Sequence, residues 1–257
     1  MLEWNYKEVV SLPEVKMDDL NSSKMRELRE KYHLDEVVAG VHSDYEKLKR
    51  LMKWVYDRWK HNGNNEPSRE DPLTILEEAS TGKNFRCVEY AIVTAAVARS
   101  MSFPSRVLGL MRKDVETATS GAGHVAVEVW MDEYKKWVFL DPKWDVMPEL
   151  DGLPLNAVEF QAAITDNGSR LKLIGSSGTE KSVYLKWIAP YLYYFNYRVD
   201  QRFFTEEEKK SGLKIMLIPK GAKPPRVFQR RYPIGEYIGI SNPKQFYPDM
   251  FSQYQKK

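Results

Sequence analysis

The sequence predicts an α+β fold, on three observations. Apolar residues recur at helical spacing between residues 43 and 99, they alternate from Arg106 to Leu140, and the two patterns are segregated along the chain rather than interleaved. At 257 residues, 42% of them apolar, the chain can bury one large core. Its 15 Tyr, 10 Phe and 7 Trp argue against a solvated, disordered chain, because so many rings are either buried or presented as large flat surfaces.

Each element follows in order. Ser43 precedes Glu46 at capping-box spacing, and Leu48, Leu51, Met52, Val55 and Trp59 follow at helical intervals, predicting a helix over 43–60 that Gly63 and Asn64 end. Asp71-Pro72 supplies an N-cap and a first-turn proline for a shorter helix with Leu73, Leu76 and Ala79 on its apolar stripe. From Asn84 to Arg99 the text is apolar nearly all round and rich in Ala, as a buried central helix requires. Asn84, or Ser80 and Thr81 upstream, can cap it, which puts Cys87 in or beside the first turn, and Pro104 stops it. Strands are predicted at 106–111, 124–131 and 136–140, the last two as a hairpin. A loop of about 112–123, ending Ser120-Gly121-Ala122-Gly123, leads into His124 and can border a cleft. Beyond Asp151 come helices near 155–164 and 182–189, aromatic strands around Tyr191 to Phe204 and Leu213 to Ile218, and a Pro-, Gly- and Lys/Arg-rich layer after Pro219. This divides the chain into a helical lead-in (1–42), a core (43–150) and an aromatic-rich C-terminal extension (151–257), packed as one compact domain.

Composition narrows the function classes. Net charge is only +3, with Lys and Arg interleaved among Asp and Glu, so no strong field selects nucleic acid or an anionic membrane. The basic stretch from Lys220 to Arg226, with Arg230-Arg231 after it, is read as a solvated edge rather than a nucleic-acid arm. No apolar run approaches the roughly 20 residues of a membrane span. The opening Met1-Leu2-Glu3-Trp4-Asn5 lacks the layout of a signal peptide, which predicts a cytoplasmic chain as written, or a periplasmic or secreted one whose leader has been trimmed. A single Cys excludes an intrachain disulfide and a Cys-rich metal cage; no metal or cofactor is expected.

That lone thiol is the chemical centre of the sequence. A helix N-terminus stabilises a thiolate through its unpaired N–H groups and macrodipole, so Cys87 stands where its pKa is lowered. Of the four His residues, His33, His42 and His61 lie on or beside helices, and His124 alone begins a strand after a Gly-rich loop. Hairpin geometry supplies the third group. A two-residue loop puts Asp141 opposite His124, whereas a four-residue loop puts it opposite Ala126, on the same face as a diagonal neighbour. Either way its carboxylate can hold the imidazole tautomer that faces the thiol. Asp145 is the nearest rival. Arg106 and Glu128 are expected to pair across two strands, and Arg86 to cover the helix start.

Taken together these segments resemble the transglutaminase-like superfamily of papain-like thiol enzymes. The resemblance is carried by Cys87-Val88-Glu89-Tyr90-Ala91, by Arg99 followed by Pro104-Ser105-Arg106, by His124-Val125-Ala126-Val127-Glu128-Val129, and by Trp137-Val138-Phe139-Leu140-Asp141-Pro142. It implies a central helix bearing the Cys, packed on an antiparallel sheet bearing His and Asp. It departs from the family pattern at Phe85 and Ser102, where glycine is frequent. The resemblance also implies an upstream side chain as second oxyanion donor beside the backbone N–H of Cys87: Trp59, with Asn62 as rival.

The expected function is attack by Cys87 on an amide or isopeptide carbonyl of a peptide or protein, through a thioester, with water as the acceptor. An amine-acceptor transglutaminase and a non-catalytic binding module, docking through Tyr191, Tyr193, Tyr194, Phe195 and Tyr197, are the alternatives.

Overall fold

A computed structural model describes residues 2–166, 168–205 and 212–248. The end of the 151–257 segment and Met1 lie outside the described residues. The lead-in is extended at first and then helical. Ser22 accepts the Met25 N–H to open α1 (Ser23–Lys31), and the short α2 (Leu34–Val37) follows. α3 (Asp44–Tyr56) buries Leu48, Leu51, Met52 and Val55. The capping box expected there is absent, because the Ser43 side chain makes no cap bond and Glu46 binds Lys49 instead. α3 also ends before Trp59, which belongs to the following turn. α4 (Pro72–Ser80) opens as predicted, with the Asp71 carboxylate taking both the N–H and the hydroxyl of Thr74.

The central helix α5 (Cys87–Ser100) begins at Cys87 itself. Its cap position holds Arg86, not Asn84, Ser80 or Thr81, and the Arg86 N–H donates back to the buried Glu89 carboxylate at 3.0 Å. Asn84 is occupied elsewhere, accepting from the Lys60 N–H. The guanidinium of Arg86 closes on Glu89 and Glu66, so this residue covers the helix start, as expected. At the far end Ser102 adopts a φ of 68°, the left-handed conformation for which glycine is preferred.

β1 (Ser105–Met111), β2 (Gly123–Met131) and β3 (Lys136–Leu140) form the antiparallel part of the sheet that carries the site. After a small sheet of β4 (Met147–Leu150), β5 (Leu153–Pro154) and β6 (Leu171–Ile174), the chain adds β7 (Tyr194–Arg198) beside β1, β8 (Lys214–Leu217) beside β7 and, past the hairpin of β9 (Val227–Phe228) and β10 (Tyr232–Pro233), β11 (Tyr237–Ile240). The order across the large sheet is β11-β8-β7-β1-β2-β3, and β11 runs parallel to β8, so the sheet is not antiparallel throughout. Helices α6 (Ala157–Asp166) and α7 (Lys181–Ile188) and the short α8 (Pro243–Phe246) belong to the extension.

The two faces of the sheet are buried by different parts of the chain. Val127 and Val129 of β2 join one apolar cluster with α1, α3, α4 and α5, while Ala126 joins another with Phe160 of α6 and Tyr184 and Ile188 of α7. This alternation leaves no solvated face on β2. Tyr194, Phe195 and Tyr197 are buried in the core, which removes them as a docking surface. The expected Arg106–Glu128 pair forms between direct strand partners at 2.7 Å, fully buried, with Trp137, Tyr197, Phe246 and Tyr247 packed around the guanidinium. The 220–231 basic stretch pairs Lys223 with Glu116 and bonds Arg230 to the Thr117 carbonyl, clamping the loop that leads to His124. Among the described residues no helix is long and apolar enough to cross a membrane.

Candidate active site

The start of α5 and the start of β2 meet. Cys87 is the first residue of its helix and half-buried. The His124 ring and the Val125 N–H stand close enough to the Cys87 thiol to stabilise its thiolate. Register decides where the carboxylate stands. Trp130 pairs with Trp137 and Met131 with Lys136, so the turn holds residues 132–135 and Asp141, one step beyond β3, faces Ala126 rather than His124. The His124 and Asp141 side chains nevertheless share a face, and Nε2 lies 2.8 Å from Oδ2. Reciprocal backbone bonds to Val146 fix Asp141 in place. With Nε2 committed to the carboxylate, Nδ1 is the nitrogen left for the thiol.

The electrostatics follow from that order. Burial alone pushes the Cys87 thiol up, but the hydrogen bond and charge of His124, helped by the Val125 N–H, outweigh it and hold the thiol below its ordinary range. Burial likewise opposes a charged imidazole, yet the charge and hydrogen bond of Asp141, with the thiol on the other side, push His124 up to about 9. The two titrate as a pair, and the lowered thiol and raised imidazole both shift that pair towards thiolate with imidazolium.

Trp59 and Asn62 lie on the segment just past α3 that runs beside residues 84–86. The Asn62 N–H binds the Phe85 carbonyl at 2.7 Å, and the Asn62 side-chain oxygen accepts from Asn64. Trp59 is buried against Tyr90 and Phe85, its carbonyl accepts the Tyr90 hydroxyl, and its indole N–H is buried without a partner. Phe85 thus fills with an aromatic ring the place where glycine is frequent in the family. The rival carboxylate is engaged elsewhere: Asp145 accepts the N–H groups of Ser176 and Ser177 at 2.7 and 2.8 Å. His61, read from the sequence as lying on or beside a helix, pairs with Phe85 in a short parallel bridge beyond α3. Burial, then the nearby charges of Lys143 and His124, hold its imidazole below the usual range.

Residues 32–142 match the transglutaminase-like superfamily. Similar folds occur in a candidate cysteine protease from Cytophaga hutchinsonii (15% identity, 61% of this chain and 50% of that one, TM-score 0.39) and in red sea bream transglutaminase (16%, 48% and 26%, TM-score 0.32). A third similar chain comes from a structure of the Rad4/XPC nucleotide excision repair complex (14%, 70% and 42%, TM-score 0.36). The protein spans half or less of each of these chains. No curated protein matches it.

The transglutaminase-like segment does not hold the whole site. Tyr184 of α7 donates to the same Asp141 oxygen that His124 uses, at 3.0 Å, and is fully buried. The other carboxylate oxygen is buried without a partner. Trp187 stands edge-on to the His124 ring at 4.8 Å, and Trp144 and Tyr191 continue the aromatic cover. Lys143 lies over Trp144 and Trp187. Burial lowers its pKa, and the Asp141 and Cys87 charges raise it in part. Sequence reasoning missed this layer; its only signals were the two residues that follow Asp141-Pro142 and the density of rings between 184 and 197.

Proposed function

We propose that the protein is a cysteine acyl-transfer enzyme that hydrolyses an amide or isopeptide bond of a peptide or protein, with Cys87 as nucleophile, His124 as acid and base, and Asp141 as the group that orients His124. The observation that carries this reading is the imidazole held between a thiol and a buried carboxylate. Residues 43–150 supply the reacting groups, and the described residues of the lead-in and of the extension pack on them.

The Cys87 sulfur attacks the carbonyl carbon, and the carbonyl π electrons move to oxygen. The Cys87 N–H at the helix start and the unpartnered Trp59 indole N–H, with Asn62 as the other candidate, receive the oxyanion. Collapse breaks the C–N bond as His124 gives its proton to the leaving amine, leaving a thioester. His124, now neutral, takes a proton from water as its oxygen attacks the thioester, which releases the acid and restores the thiolate and imidazolium. Asp141 keeps its charge throughout. An amine in place of water gives transamidation by the same steps.

The test is alkylation of Cys87 by iodoacetamide between pH 5 and 10, followed by mass spectrometry, beside a peptide and amine library assayed with wild type and Cys87→Ala. A thiol held below its ordinary value of about 8.5 is alkylated at lower pH than a free cysteine, and His124→Ala returns its midpoint towards that value. Hydrolysis declines as pH rises through about 9, where His124 loses the proton the leaving amine needs. Ordinary reactivity of Cys87 at pH 6, unchanged in His124→Ala, defeats the proposal.

A further inference from the structure

A cavity of about 230 Å³ opens beside the first turn of α5. Val88, next to Cys87, and Val125, next to His124, both line it, and Ile92 and Val107 continue an apolar wall. The opposite side is charged. Arg198 of β7 and Lys214 of β8 line the cavity and are direct partners across the two strands, so two cations project side by side from one face. Like charges so opposed destabilise a sheet unless something neutralises them. Glu70 does so only loosely, 3.9 Å from Arg198 with both side chains about half exposed. Lys214 donates to the neutral Ile234 carbonyl, and burial, then the Arg198 charge, hold its pKa below the usual value. Among the described residues the remaining carboxylate of the lining, Asp200, is bound by Arg202 at 2.7 Å.

We propose that this cavity selects peptide substrates with an acidic arm: an apolar portion lies against Val88, Val107 and Val125, and a carboxylate lies between Arg198 and Lys214. The inference rests on Cys87 being the nucleophile. Two strand spacings and a two-residue offset separate the Arg198 backbone from Val125 by roughly 12 Å, and a long side chain reaching back leaves the carboxylate about two to three residues from the attacked carbonyl. Asn196, also on the lining, fills the space above Gly109, where any side chain would collide with its amide.

The test uses peptidyl chloromethyl ketones that differ only in Glu or Gln two or three residues from the reactive carbon. The Glu probe alkylates wild-type Cys87 about tenfold faster at low salt, and the ratio falls towards one in 0.5 M salt and in Lys214→Met. Arg198→Gln, at a half-exposed position that tolerates change, gives the same result should Lys214→Met fold poorly. Equal rates for both probes in wild type, or a ratio that neither variant alters, overturn the inference. Binding of fluorescein-labelled Glu and Gln peptides to Cys87→Ala, which needs no reactive thiol, separates the two possible failures. Preference for Glu there without alkylation of wild type rejects the nucleophile and keeps the cavity's selectivity. Equal binding rejects the cavity.

Discussion

Replacing Tyr184 by Phe removes one oxygen from the buried environment of Asp141 and changes little else. The Tyr184 hydroxyl donates to Oδ2 at 3.0 Å, the residue is fully buried, and Oδ1 has no partner among the described residues, so the carboxylate is left with the imidazole as its only side-chain partner among them. A hydrogen bond to a charged group contributes about 1.5–3 kcal/mol. For a chain of this size that corresponds to a fall of roughly 3–12 °C in Tm. A carboxylate that has lost a donor also holds the imidazolium proton harder, so the alkaline limb of the hydrolysis profile, set by His124 at about 9, moves upward. The sign of the stability term is fixed by the same value. Because the folded pKa of His124 is raised, its contribution is full below the unfolded value of about 6.5 and fades as pH rises through about 9, so the melts belong at pH 6. Differential scanning calorimetry and a pH–rate profile read the two effects separately. A Tm within 1 °C of wild type and an unmoved alkaline limb together refute the role given to this hydroxyl.

Two further outcomes follow from buried polar groups. Trp59→Phe keeps the ring against Tyr90 and Phe85 and removes the unpartnered N–H; if that group receives the oxyanion, kcat falls by about 10²–10³ with KM little changed, while Asn62→Ala leaves kcat nearly intact, and the reverse pattern transfers the role to Asn62. Glu128→Gln strands the Arg106 guanidinium in the core and costs about 3–5 kcal/mol, seen as a lower urea midpoint at unchanged slope.

The parts of the fold legible in the sequence are those whose signal is local. α4 reads directly from Asp71-Pro72, and β2 and β3 from alternation bounded by a Gly-rich loop and by Pro142. Where a cap is supplied by an unexpected side chain, local reading fails: Arg86 stands at the α5 cap because Glu89, three residues on, answers its backbone N–H, and an arginine carries no N-cap signal. α3 ended early for a related reason. Trp59 continues the helical stripe in spacing, yet its carbonyl accepts the Tyr90 hydroxyl and its ring packs tilted against Tyr90, so tertiary contact overrides the period. The small β4–β6 sheet and the parallel β11 depend on pairings between distant, short segments, which leave no periodic trace.

The site divides along the same line. Cys87 and His124 each sit at the start of an element whose beginning the sequence marks, and a two- or four-residue hairpin turn keeps Asp141 on the face of His124 because strand side chains repeat every second residue. What shifts the proton affinity of the pair is less local. A buried carboxylate lacking part of its hydrogen bonding is costly, and Tyr184 and Trp187, more than forty residues further on, are the groups that give Asp141 Oδ2 a second donor and cover His124. The proposed reacting groups therefore lie in the matched segment, while the cover that buries His124, against which the Asp141 charge pushes it up to about 9, comes from both halves of the chain. A short motif can specify which atoms react, but the proton affinity of those atoms is set by whatever the rest of the chain packs against them.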